Sequence, residues 1–141
     1  MNRRGLLLLG LASPALAEGA VPEEFAGLVG QPVVALAAHP AVGPRLRRMA
    51  AGRQRLVSDA LRGAGPGLVW EAGWLAGHAG AGEMRALLGY APASEQVALM
   101  LWEGNSPSLF IPPRYAPWPE GLRGALRRFN PALEGQMRFG M

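Results

Sequence analysis

The chain of 141 residues has no cysteine and no lysine, and it offers only two histidines and one aspartate. Without thiols there is no disulfide, no thiolate nucleophile and no Cys-ligated metal, so packing alone must hold the fold. His39 and His78 lie far apart and lack the short spacing of a metal-binding pair. A serine nucleophile needs a base and an orienting acid within hydrogen-bond reach. Ser58 is followed by Asp59, but adjacent residues on a helix do not face one another, and no Gly-x-Ser-x-Gly turn occurs. Glycoside hydrolysis needs two carboxylates across a cleft. Glu71 and Glu83 flank a predicted strand and read more simply as solvated turn residues. The expectation is a protein that is not an enzyme and uses no cofactor or metal.

Long apolar runs are also scarce, and the most prominent one opens the chain. Arg3 and Arg4 precede an apolar stretch from Gly5 to Leu16, and Ala15-Leu16-Ala17 supplies the small-x-small pattern that signal peptidases cut. The stretch is shorter than the roughly 20 residues a permanent span requires, and no cysteine follows it to take a lipid. Residues 1–17 therefore read as a cleaved signal peptide, and the mature protein as periplasmic or secreted with no membrane anchor. Arg3-Arg4-Gly5-Leu6-Leu7 also resembles a twin-arginine export signal, and the route is left open.

Removing 17 residues leaves 124, enough for one domain that buries about two-thirds of its unfolded surface. Half of all residues are hydrophobic and 17% are charged, which argues against disorder. Every basic residue is arginine; with abundant Ala, Gly, Leu and Pro this reflects a GC-rich coding bias. The formal charge of +4 falls to +2 once Arg3 and Arg4 leave. That is weak attraction for an anionic partner, and no nucleic-acid motif is present.

Pro22-Glu23-Glu24 starts a short helix, with Pro in the first turn and acids favouring the dipole. A second short apolar segment runs from Val33 to Ala38 and stops at His39-Pro40. The longest helix is expected from Pro44 to Leu61, because Leu46, Met49, Ala50, Leu56, Val57, Ala60 and Leu61 fall on one stripe. After the breaker run Gly63–Gly67 the pattern becomes short strands and turns: Leu68–Glu71, Trp74–His78, Arg85–Tyr90, Gln96–Trp102 and Ser108–Ile111. Connections this short permit antiparallel pairing only. Val97-Ala98-Leu99-Met100-Leu101 is apolar on both sides, which predicts that Gln96–Trp102 is central in the sheet with helices or long loops covering each face. Leu122, Ala125, Leu126 and Phe129 mark a final helix, and the tail from about Leu133 is expected to be loosely ordered. The fold class is α+β: residues 18–141 form one domain, an antiparallel meander of about five strands with N-terminal helices and a C-terminal helix packed on it.

One local site stands out. Gly77, His78, Gly80, Gly82 and Glu83 fall in a stretch expected to be a flexible loop between two strands, carrying one imidazole and one carboxylate. Loops on rigid sheets often carry function, and this one suits insertion into a partner protein. The alternative site is aromatic. If the strand ran straight through Gly73, Trp70 and Trp74 would share a face and, with Tyr90, line a pocket for a small ligand or cell-envelope component.

The order of these features resembles the Ivy family, periplasmic inhibitors of C-type (vertebrate) lysozyme. The resemblance rests on the leader, Ala37-Ala38-His39-Pro40, Trp70-Glu71-Ala72-Gly73-Trp74-Leu75, the segments Arg85–Tyr90 and Gln96–Trp102, and Trp118 with its helix. It implies a central antiparallel sheet with helices against it, and a non-catalytic protein of lysozyme-inhibitor type; the partner expected here is a protein, a lysozyme or a lytic transglycosylase. The family's inhibitory loop carries Cys-Lys-Pro-His-Asp-Cys, whose histidine enters the enzyme's active site. Gly77–Glu83 occupies the matching place, with His78 the counterpart of that histidine and no cysteines to close the loop.

Overall fold

A computed structural model of the chain describes residues 19–104, 106–113 and 116–140. The leader expected over residues 1–17 lies outside them. Among the described residues, the α-helices ahead of the sheet include α1 (Glu23–Ala26), α2 (Val33–Ala37), α3 (Gly43–Ala50) and α4 (Gln54–Leu61). Five strands follow as β1 (Val69–Glu71), β2 (Trp74–Ala81), β3 (Met84–Ala91), β4 (Gln96–Glu103) and β5 (Ser106–Ile111). They pair in sequence order, every pair antiparallel, as a meander. The chain then passes through β6 (Trp118–Pro119), a 3-10 turn at Glu120–Leu122 and α5 (Arg123–Phe129). A 3-10 segment at Pro131–Gly135 and the short β7 (Phe139–Gly140), parallel to β6, complete the described chain.

Alternation along the strands divides the core in two. Leu75, Leu88, Leu99 and Leu101 meet Phe25, Leu36, Leu46, Val57 and Leu61 of the N-terminal helices. Trp74, Leu87, Met100 and Trp102 meet Trp118, Leu122, Leu126 and Phe129 on the opposite face. The sheet is thus the middle of three layers. β4 lies between β3 and β5, and its Ala98, Leu99, Met100 and Leu101 are wholly inaccessible to solvent, as its two-sided apolar pattern requires. The middle strand of the five is β3.

Two local expectations are corrected. The helix expected over Pro44–Leu61 is two helices joined by a 3-10 turn at Ala51–Arg53. Gly52 sits at the break, where its low helix propensity makes continuation costly. The Gln54 side chain turns back to donate to the Arg47 carbonyl at 2.8 Å. The tail from Leu133 packs instead of trailing: Leu133 and Met137 are buried against the C-terminal helix layer, and the Trp118 N–H donates to the Arg138 carbonyl at 2.8 Å.

Candidate functional site: the β2–β3 hairpin

The stretch expected to be a flexible loop is mostly strand. β2 continues to Ala81, whose partner is Met84, so only Gly82 and Glu83 turn the chain. Gly82 takes φ +63, the left-handed geometry that a two-residue hairpin turn needs. The Gly104 N–H donates to the Glu83 carbonyl at 2.6 Å and ties this turn to the neighbouring β4–β5 connection.

The glycines that suggested slackness have packing reasons. A Cβ on Gly77 would lie 3.0 Å from Leu68 Cδ2 and 3.2 Å from Val33 Cβ. At Gly80, where φ is +104, a Cβ would run into the Met84 carbonyl oxygen and stand 2.9 Å from Arg85 Cα. Beyond the short β1, the outer edge of β2 is covered by the Gly63-Ala64-Gly65 run: the Gly80 N–H donates to the Ala64 carbonyl at 2.9 Å. A Cβ on Gly65 would collide with the His78 carbonyl. Small residues on both chains permit this close approach.

His78 therefore sits on a strand, paired with Leu87 and four residues before the turn. At about 3.3 Å per residue that is roughly 13 Å back from Gly82. Its half-buried ring packs edge-on against Phe129 of α5, centroids 5.4 Å apart. Burial, then the positive charges of Arg85 and Arg128, holds its pKa below the ordinary 6.5. Arg85 pairs with Gly80 across β2–β3 and with Trp102 across β3–β4. Its guanidinium lies 5.0 Å from the Phe129 ring centroid and 5.7 Å from that of Trp102, and it donates to the Phe129 carbonyl at 3.2 Å. Arg128 is ion-paired with Glu71 at 3.1 Å. The Arg85, Phe129 and Arg128 surroundings of His78 were missed from the sequence, because only the docking of α5 on the sheet brings them together.

The remaining candidates are dispersed. Glu71 and Glu83 stand at opposite ends of β2, roughly 25 Å apart along an eight-residue strand, so they cannot act as a catalytic pair. His39 lies on the other side of the sheet from His78, its ring 4.5 Å from Phe25 and its Nδ1 accepting the Ala41 N–H at 3.0 Å. The expected aromatic face does not form. Ala72 and Gly73 both take positive φ in a two-residue turn that pairs Glu71 with Trp74, which puts Trp70 and Trp74 on opposite faces. Trp70 donates its indole N–H to the Gly19 carbonyl at 3.2 Å, and Trp74 is 6% exposed in the C-terminal core. Tyr90, 4% exposed and packed 5.4 Å from Phe25, only edges a cleft of about 470 Å³. Burial and the nearby Glu95 raise its pKa above the ordinary 10.0.

A five-strand antiparallel meander between two helical layers, with a tied two-residue hairpin at one end of the sheet, defines an α+β sandwich of helix, sheet and helix. The family model described as "Inhibitor of vertebrate lysozyme (Ivy)" matches residues 41–132, from the approach to α3 through β2–β3 to the end of α5. The chain belongs to this family, whose members are non-catalytic. No curated protein and no solved structure matches it.

Proposed function

We propose that this protein is exported to the periplasm or beyond, its residues 1–17 removed as a signal peptide, and there binds and blocks a peptidoglycan-cleaving enzyme of lysozyme or lytic-transglycosylase type. The observation that carries this reading is the family match across residues 41–132. The contact is made by the end of the β2–β3 hairpin. Gly82 and Glu83 are exposed there, Gly80 shapes the strand behind them, and Gly77 and His78 seat the hairpin on its neighbours.

This differs from insertion of a histidine. His78 is set back from the tip, and burial with Arg85 and Arg128 nearby disfavours the imidazolium that would give a carboxylate the stronger charge-assisted hydrogen bond. Glu83 supplies the opposite sign, suited to the cationic rim of a basic enzyme. The missing cysteines are offset by the two-residue turn and the Gly104–Glu83 hydrogen bond, which order the tip before binding and lower the entropic cost of association. The small-ligand alternative loses its support, because Trp70, Trp74 and Tyr90 do not line a common pocket.

The test is a lytic assay of the purified protein against vertebrate lysozyme and bacterial lytic transglycosylases. Dose-dependent slowing of lysis by at least one of them is expected. No effect on any of them at high micromolar concentration would overturn the reading.

A further inference from the structure

The break between α3 and α4 opens a cleft of about 490 Å³ bounded by α2, α3 and α4. No described side chain of the β2–β3 hairpin lines it. Its bottom is formed by the buried Leu46, Ala50, Val57 and Leu61, with the half-buried Val34 and Ala37 still open to the space. Its mouth is cationic: Arg47, Arg55 and Arg62 face a single acid, Asp59. Asp59 is already held by Arg62, which also donates to the Ser58 hydroxyl at 2.8 Å. Arg47 and Arg55 make no ion pair with any described residue.

This pairing of features selects one ligand chemistry. The volume falls within the range of small-molecule sites, about 300–1,000 Å³, which are mostly apolar with a few placed polar groups. A cation is disfavoured by the surplus arginines, and a fully polar ligand gains nothing from the aliphatic bottom. A guanidinium fork matches a carboxylate, while the arginine stems extend the apolar wall. We propose that the cleft binds a free single-chain fatty acid, its alkyl chain on Val34, Ala37 and the buried bottom and its carboxylate on Arg47 and Arg55. This site is separate from the inhibitory reading and stands or falls without it.

The experiment is calorimetric titration of the protein with monomeric decanoate, hexanoate, neutral octyl glucoside and a decyltrimethylammonium salt. Saturable one-to-one binding of decanoate is expected, weaker for hexanoate and absent for the cation. The double variant Arg47→Gln/Arg55→Gln changes exposed side chains only. It should bind decanoate about fivefold more weakly or worse, since each exposed charge contact contributes modestly, with its affinity for octyl glucoside and its melting temperature unchanged. Ala37→Phe, which fills the open wall, should weaken decanoate and octyl glucoside alike. The proposal is overturned if decanoate gives no saturable binding at millimolar concentration, or if the double variant binds it as tightly as the native protein. Binding to anionic vesicles without binding to monomeric decanoate would also overturn it, by assigning the arginines to a membrane surface.

Discussion

Gly80→Ala separates a flexible loop from the strand seen here. In a loop, a methyl group at this position would meet only solvent. In β2, it would meet the Met84 carbonyl and lie 2.9 Å from Arg85 Cα, both backbone atoms of the adjoining strand that cannot swing aside. The φ of +104 adds a backbone penalty, since L-residues rarely adopt it. A non-glycine residue in such a region costs of order 1–3 kcal/mol, and overpacking a well-filled site typically costs about 1–3 kcal/mol. Together they predict a loss of about 2–6 kcal/mol, a large share of the roughly 5–15 kcal/mol that holds a typical domain. Displacing Gly80 also pulls its N–H from the Ala64 carbonyl and loosens the cover over the β2 edge. Gly82→Ala is the internal comparison, because a Cβ there has nothing within 4 Å and only the φ of +63 opposes it. It should cost about 1–2 kcal/mol. Chemical denaturation of the two variants measures the difference. A Gly80→Ala protein within about 0.5 kcal/mol of the native one, or less affected than Gly82→Ala, would refute the strand geometry.

Other outcomes follow from the same packing. Leu99 is wholly buried in β4; Leu99→Ala should cost about 2–5 kcal/mol by denaturant titration, and Leu99→Asp, which adds a buried unpaired charge, should abolish cooperative folding. Because the folded pKa of His78 is depressed, the unfolded chain binds more protons below about pH 6.5. That contribution to stability is present above this value and is lost as pH falls through the folded pKa, so His78→Gln should flatten the decline in denaturation midpoint between neutral and mildly acidic pH. Arg85→Gln removes a positive neighbour and should raise the His78 pKa in an imidazole NMR titration.

Much of the sheet was legible because its signals are local. The apolar runs of β3 and β4 and the short turn between them allowed only an antiparallel pair, and the two-sided run Val97–Leu101 had to be covered on both faces. The same reasoning failed where one signal has two physical causes. The glycines at 77, 80 and 82 suggested flexibility, yet Gly77 and Gly80 are small because Leu68, Val33 and backbone atoms approach them. The break at Ala51–Arg53 was hidden because the apolar stripe resumes in α4 after the turn. Trp70 and Trp74 seemed to share a face until a two-residue turn reversed the chain between them. As for the site, His78 was visible as a rare residue type. Its setting among Arg85, Phe129 and Arg128 depends on α5, 44 positions beyond Arg85 at the Phe129 carbonyl, and no spacing along the chain encodes that approach.

The central claim is that this family member restrains a peptidoglycan-cleaving enzyme through the tip of its β2–β3 hairpin. The most direct measurement compares inhibition of lysis by the native protein and by Glu83→Arg, an exposed substitution at the turn that leaves the core untouched. The account predicts that the native protein slows lysis by a lysozyme or lytic transglycosylase and that Glu83→Arg does so markedly less, with both proteins equally stable. Equal inhibition by the two would move the contact elsewhere on the surface, and no inhibition by the native protein would contradict the account.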